Sequence, residues 1–344
     1  MKKLFILSGF ITFIFLFSVS GYAGKVCLEK GIDIPTAKYV MKIGFATPPS
    51  LAGFRGCYDF EEEVEARSHG LIDVKIYPSA QLGGNPQILR KAQAGIIQGA
   101  VNGAPVTANL AKSVHNILNF PFLFDTWAKV DKFVNSDLIK PVYHSLDHVG
   151  LTILGICSFE SIDFLAKKPI TKLSDLKGLK MRCNPGKWGV IPAKAIGIEA
   201  SPVPFPSVYS QLKQGILDGI INSPDVIAVG KWEEVCRHYT PVGFYHGFLV
   251  FTVNTAWLNK LPPNLKEIVL TAGKRMCEIE LLRARFRYNE LLVKFKLEGV
   301  KFHKLAPGEL EKMKKAWQKV EPKFAKEVGK DYVKKVYKLV SSVK

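Results

Sequence analysis

From Leu265 to Glu298 the chain carries thirty-four residues of helical character with one glycine, Gly273, inside the run. At 1.5 Å per residue such a helix is about 50 Å long. That is longer than one lobe of a chain this size, so the helix is expected to bridge two. The length agrees, because 344 residues exceed what one hydrophobic core ordinarily serves. Around this helix, strand and helix patterns alternate. "YVMKIGFA" (39–46) is an apolar, β-branched run, "FEEEVEARSHG" is helical and closes on Gly70, and "IDVKIYP" alternates strictly up to Pro78. "GGNPQILRKAQAG" reads as a helix and "IIQGAVNGAP" as a small-residue strand. The order repeats later with strands "GLTILGIC", "LKMRC" and "FLVFTVN" and helices "IPAKAIG" and "YSQLKQGILDG". A βαβαβ order predicts a mostly parallel sheet covered by helices.

The N-terminus has the layout of an export signal. Lys2 and Lys3 precede an apolar run from Leu4 to about Val19, followed by the small residues Gly21 and Ala23. Sixteen apolar-leaning residues are short for a membrane span, which needs roughly 20, so cleavage near Ala23 is expected. The formal charge of +18 falls to +16 without Lys2 and Lys3. Residues 311–344 hold eleven lysines against four acids, a net +7. Trp317, Val320, Phe324 and Val328 recur there at helical spacing, so the stretch reads as a packed helix with a lysine-rich wet face. Export argues against nucleic acid as a partner. The six cysteines form no C-x-x-C, which leaves zinc ribbons and thioredoxin-like chemistry without support. An exported chain permits disulfides; Cys27 with Cys57 is the pairing expected, with Cys277 an inert core thiol.

Catalytic and cofactor signatures are missing: there is no G-x-S-x-G, P-loop, G-x-G-x-x-G or H-E-x-x-H. Neither metal nor cofactor is expected. The informative stretch is "LKGLKMRCNPG", where Arg182 stands just before an Asn184-Pro185-Gly186 turn. An arginine at the tip of a buried strand either reaches water or meets a fixed anion, because a buried guanidinium without a partner costs several kcal/mol. In two-lobed α/β proteins ligands collect at the carboxyl ends of strands, and a guanidinium there grips a carboxylate bidentately. A surface salt bridge to Asp175 is the plainer alternative, and composition leaves the two even.

Several blocks resemble the substrate-binding proteins of TRAP transporters, the DctP family. They are "GLIDVKIYPSAQLGGNPQIL", "LNFPFLFDT", "KPITKLSDLKGLKMR", "GIEASPVPFPSVYSQLKQGILDGIINSP" and "KWEEVCRHYT". The likeness runs from about Tyr39 to the end. It implies an α/β, two-lobed periplasmic binding protein fold with a long helix bridging both lobes. The implied division is 1–23 signal peptide, 24–38 N-terminal extension, 39–159 lobe I and 160–248 lobe II. Residues 249–287 then return to lobe I, and 288–344 to lobe II with the C-terminal helices. By motif position Arg182 would hold the carboxylate of an organic acid, Asn222 would be the cleft asparagine, and Phe205 would pack on the ligand body. Asn102, Asn184, Trp188 and Tyr245 complete the candidate site.

The sequence departs from the family where many members carry a second arginine. Here the stretch reads Phe159, Glu160, Ser161, Ile162, and the usual acid before the cleft asparagine is Ile221. One guanidinium and many rings suggest a monocarboxylate with an apolar or aromatic body. The implied partners are the small and large TRAP membrane subunits, and the binding protein is expected to be a monomer. Three rival readings remain at this stage. They are a receptor presenting ligand to a sensor kinase, a C4-dicarboxylate or sugar-acid binder of the same family, and a hydrolase or lyase using Glu160 with His246.

Overall fold

The structure is a computed structural model that describes residues 37–50 and 54–343, with backbone alone at 158 and 159. The expected signal segment, its cleavage point and most of the N-terminal extension, Cys27 included, lie outside the described residues. The first half of the chain runs β1 (Tyr39–Gly44), α1 (Gly56–Arg67), β2 (Ile72–Tyr77), α2 (Asn85–Gln93), β3 (Gly99–Gly103) and α3 (Ala104–Thr107). After α4 (Trp127–Val134) and α5 (Lys140–Tyr143) comes the sixteen-residue β4 (Leu151–Ala166). The second half holds β5 (Lys180–Cys183), α6 (Lys187–Ala195), β6 (Glu199–Pro202), α7 (Val208–Gln214), β7 (Gly219–Asn222) and α8 (Pro224–Gly230). The seventeen-residue β8 (His238–Asn254) and α9 (Thr255–Leu258) lead into α10 (Pro263–Leu297). The chain ends with β9 (Lys301–Phe302), α11 (Glu309–Val328) and α12 (Lys330–Ser341).

The strands form one sheet in the order β2-β1-β3-β8-β4-β7-β5-β6, with β9 beside β8. Pairs within each half are parallel, as the βα alternation predicts. The two long strands depart from that expectation, since β3–β8, β4–β7 and β4–β8 are antiparallel. Each long strand serves both halves, so the two must run in opposite directions. Leu151–Ser158 of β4 pairs with Phe248–Asn254 in one half, and Ile162–Ala166 with His238–Tyr245 in the other. The register shifts three times, at Ile153/Gly155, at Ser158/Ser161 and at Ile162/Phe164. The hinge between the halves is therefore a pair of bulged strands.

At thirty-five residues α10 reaches the length expected of the bridging helix. It lies along β4 and touches α1 in one half and α8 in the other. Glycines set the closeness of that packing. A Cβ on Gly155 would stand 2.8 Å from the Gly273 carbonyl oxygen and 2.5 Å from Cys277 Sγ, and one on Gly273 would stand 2.7 Å from Leu154 Cβ. Cys57, Cys157, Cys183, Cys236 and Cys277 are buried free thiols. Cys57 is buried in the core, and its expected pairing with Cys27 lies outside the described residues.

Behind α3 a buried imidazole pins one wall of the cleft. Thr107 Oγ1 donates to the Ala104 carbonyl, so it accepts from His115 Nε2 at 2.8 Å, and Ser145 Oγ donates to His115 Nδ1 at 2.9 Å. Burial pulls the His115 pKa down to about 3.

Two outcomes are expected. Gly155→Ala and Gly273→Ala should each lower the unfolding free energy by about 1–3 kcal/mol through overpacking, read from urea midpoints. An unchanged midpoint would contradict the close approach of α10 to β4. For His115 the neutral form is the folded form. Below about pH 6.5 the unfolded chain takes up a proton that the folded chain refuses, so its contribution falls toward pH 3 by at most about 1.4 kcal/mol per unit. The wild-type minus His115→Gln difference in stability should carry that slope.

Candidate functional site

Arg182 is the last residue but one of β5, which opens after the left-handed Gly178 and closes on the Asn184-Pro185-Gly186 turn. The parallel β7 runs alongside, with Ile220 opposite Arg182, so the ends of the two strands lie together. Arg182 is 3% exposed. Its Nε donates to the Val203 carbonyl at 3.0 Å, and its guanidinium carbon sits 5.6 Å from the centre of the Trp232 ring. Nη1 is buried with no protein partner. Asp175, the alternative partner, turns away and accepts instead from the Thr171 and Lys172 backbone amides and the Thr171 hydroxyl. Burial pulls the guanidinium down to about 10, which still leaves it charged at neutral pH. A cation so placed calls for an anion that the described residues do not supply.

Other polar atoms share that condition. Asn102, last but one in β3, has both side-chain atoms buried without a protein partner. So do the hydroxyls of Thr47, just past β1, and Ser223, just past β7. Two more, Glu160 Oε1 and His246 Nε2, sit where β4 and β8 pass from one half to the other. These atoms mark the carboxyl ends of β1, β3, β5 and β7 and the bulge between the long strands. That is the crevice where ligands bind in open α/β sheets. The two halves meet at its rim, where a Cβ on Gly186 would lie 3.3 Å from both Pro105 O and Asn109 Nδ2. Gly186 also has φ +115, so a side chain there is strained as well as crowded.

The chemistry of each group follows from its surroundings. Burial raises the Glu160 carboxyl well above its usual range, helped by the charge of Asp225. Burial thus favours its protonated form; Oε2 accepts from the Asp225 amide at 3.1 Å and Oε1 is buried with no protein partner. His246 donates from Nδ1 to the Phe124 carbonyl at 2.7 Å, and burial lowers its pKa. Nε2 is therefore a bare acceptor. Glu160 and His246 are thus committed to different backbone partners. Tyr245 is buried, and burial raises its phenol while the Arg182 charge opposes the rise. Glu160 stands at φ +109 in the bulge, a conformation a side chain adopts only when its surroundings enforce it. Just beyond it, Asp163 accepts from the Val242 and Gly243 amides at 2.8 and 2.9 Å and from the Tyr239 and Tyr288 hydroxyls. Tyr288 belongs to α10, so this one carboxylate ties the bulged strands to the bridging helix.

The structure gathers Arg182, Asn222, Phe205 and Tyr245 at neighbouring strand ends and loops. Asn222 closes β7 with its Oδ1 accepting from the Ser223 amide. Phe205 packs on Trp232, centroids 5.3 Å apart. Asn184 is half-buried in the turn that follows Arg182. Trp188 stacks on Phe120 at 6.0 Å and meets Phe324 edge-on at 5.1 Å, so its ring is packed between α6 and α11. The indole beside the arginine is Trp232, from the "KWEEVC" block, which the sequence reading quoted but did not place in the site. Thr47, Ser223 and Asp163 were also missed. A lone hydroxyl or carboxylate at a strand end gives no pattern until the strand neighbours are known.

No helix among the described residues is long and apolar enough to cross a membrane. The sequence profile of the bacterial extracellular solute-binding proteins, family 7 (DctP), matches residues 45–327. The chain is 25% identical over 302 residues to the C4-dicarboxylate-binding periplasmic protein DctP of Rhodobacter capsulatus, covering 86% of this chain and 89% of that one. It is 24% identical over 235 residues to the 2,3-diketo-L-gulonate-binding periplasmic protein YiaO of Escherichia coli, covering 68% and 71%. Among solved structures, the sugar acid binding protein DctPAm of Advenella mimigardefordensis, in complex with galactonate, superposes with a TM-score of 0.84 at 21% identity. That match covers 90% of this chain and 99% of the other. A TRAP periplasmic solute binding protein of Haemophilus influenzae with bound L-gulonate gives 0.83 at 21%, covering 89% and 100%. Two lobes, the bridging helix and the matched profile agree: the chain belongs to the family 7 extracellular solute-binding proteins, which serve TRAP transporters as receptors and not as enzymes.

Proposed function

We propose that this protein captures a hydroxylated monocarboxylate of the sugar-acid class outside the cytoplasm and delivers it to the small and large membrane subunits of a TRAP transporter. The observation that carries the reading is the set of buried polar atoms without protein partners around Arg182. One fixed guanidinium suits one carboxylate. Asn102 and Ser223 offer donors, and bare His246 Nε2 accepts, which is what ligand hydroxyls require. A second carboxylate would need a second cation, and the stretch from Phe159 to Ile162, where many relatives carry an arginine, holds none. The names of relatives that bind galactonate, L-gulonate and 2,3-diketo-L-gulonate support the same class. Export through a signal cleaved near Ala23 fits the periplasmic setting of the relatives.

A second reading keeps the apolar body expected from the sequence. The Phe205–Trp232 pair beside Arg182 favours it. In either case lobe closure would expel water and strengthen the Arg–carboxylate pair. Transporter and sensor-kinase delivery use the same cleft, and the family favours the transporter.

Thermal-shift and calorimetric titrations with galactonate, gluconate, succinate and a branched monocarboxylate separate these classes. Ligand at about 100 times its Kd adds roughly 2.7 kcal/mol of stability. The proposal expects the sugar acids to give the largest shifts; a response to succinate alone, or to the branched acid alone, overturns it. Arg182→Met should weaken binding by at least about 30-fold and also raise the stability of the ligand-free protein, because it removes a buried unpaired charge. Loss of binding together with lower ligand-free stability would make Arg182 a structural residue.

A further inference from the structure

Four large apolar side chains of α10 face solvent: Leu282 is 55% exposed, Phe286 79%, Val293 57% and Leu297 84%. Their separations are 4, 7 and 4 residues. At about 100° per residue this puts all four within roughly 60° of arc, one stripe along about 22 Å of helix. The core-facing side of α10 is separately supplied, by Leu281, Ala284, Leu291 and Phe295. Single exposed apolar residues are ordinary on a soluble protein, but a row of them on one helix marks an interaction site. No described segment of the chain covers it.

We propose that a second copy of this protein covers the stripe, forming a two-fold dimer through antiparallel pairing of the two α10 helices. The argument rests on symmetry. An isologous interface must be complementary to itself, and a 4-7-4 spacing reads the same in both directions. About an axis between Asn289 and Glu290, Leu282 meets Leu297 of the second copy and Phe286 meets Val293, while Asn289 lies beside its own copy on one flank and Glu290 beside its own copy on the other. An unrelated partner would impose no such palindrome.

Charge allows the approach on this face. Residues 278–298 hold five bases and four acids, near balance in a chain of +18, whereas the lysine-rich C-terminal helices would repel their own copies. Arg285, which falls opposite Lys294, is already turned to Asp131 and the Trp127 ring. The four side chains offer roughly 500 Å² on each copy, or about 1,000 Å² for the pair, the lower bound of a specific interface. The dimer is therefore a weak one, and it replaces the monomer expected from the sequence.

Sedimentation velocity of the purified protein from 1 to 200 μM, concentrations chosen around a micromolar Kd, should show a concentration-dependent dimer. Phe286→Glu, on an exposed site that keeps the native circular dichroism, should weaken it at least 100-fold. Asn289→Cys, at the axis, should give a disulfide-linked dimer on oxidation with copper–phenanthroline. Lys274→Cys, exposed but far from the axis, should not. A monomer at every concentration, a dimer indifferent to Phe286→Glu, or equal cross-linking from position 274 would each overturn the proposal.

Discussion

The charge on Arg182 is held inside the protein with a carbonyl and an indole for company and no carboxylate among its bonded partners. Interiors tolerate such a charge only when something repays several kcal/mol of lost hydration. The surrounding architecture reads as the means of holding it there. Two left-handed glycines, Gly178 and Gly186, bound the short strand that carries it. The Val203 carbonyl fixes one edge of the guanidinium and leaves the other edge free for a planar anion. Asn102, Thr47, Ser223, Glu160 and His246 extend the same condition around the crevice, each a buried polar group whose partner is not part of the chain. Internal stability is given up at each of these groups, and the proposed ligand would restore it.

That crevice is usable because the two halves share their longest elements. β4, β8 and α10 each run through both, and two of the three register shifts between the long strands fall around Glu160 and the Asp163 cluster beside it. The Gly155–Gly273 approach sets α10 close against β4 in one half, and the Tyr288–Asp163 bond ties it again at the bulge. The positive φ of Glu160 and its unpartnered Oε1 thus lie at the bulge itself.

Much of this was legible in the sequence, for identifiable reasons. The bridging helix was plain because propensity alone marks thirty-odd uninterrupted residues. The parallel halves followed from alternating periods, and Arg182 from a charged residue at the end of an apolar strand. The second half of β4 and the first half of β8 were not legible. Glu160, Ser161 and Asp163 in one, and Pro241, Gly243 and Gly247 in the other, are residues that ordinarily mark turns, and here they build bulges inside long strands. Trp188 stands six residues past Arg182, but nearness in sequence did not decide which ring lies beside the guanidinium. A helix start swings its ring into the core, while Trp232, fifty residues on, fills the place beside the guanidinium. Tertiary pairing of that kind leaves no local signature.

The central claim is that the Arg182 guanidinium waits for a ligand carboxylate. A crystal structure of the protein grown with galactonate tests it most directly. The account predicts a carboxylate within about 3 Å of the guanidinium nitrogens, with ligand hydroxyls on Asn102 and His246 Nε2. A galactonate bound with its carboxylate elsewhere, or an Arg182 swung out to solvent or onto a protein acid in that crystal, would contradict it.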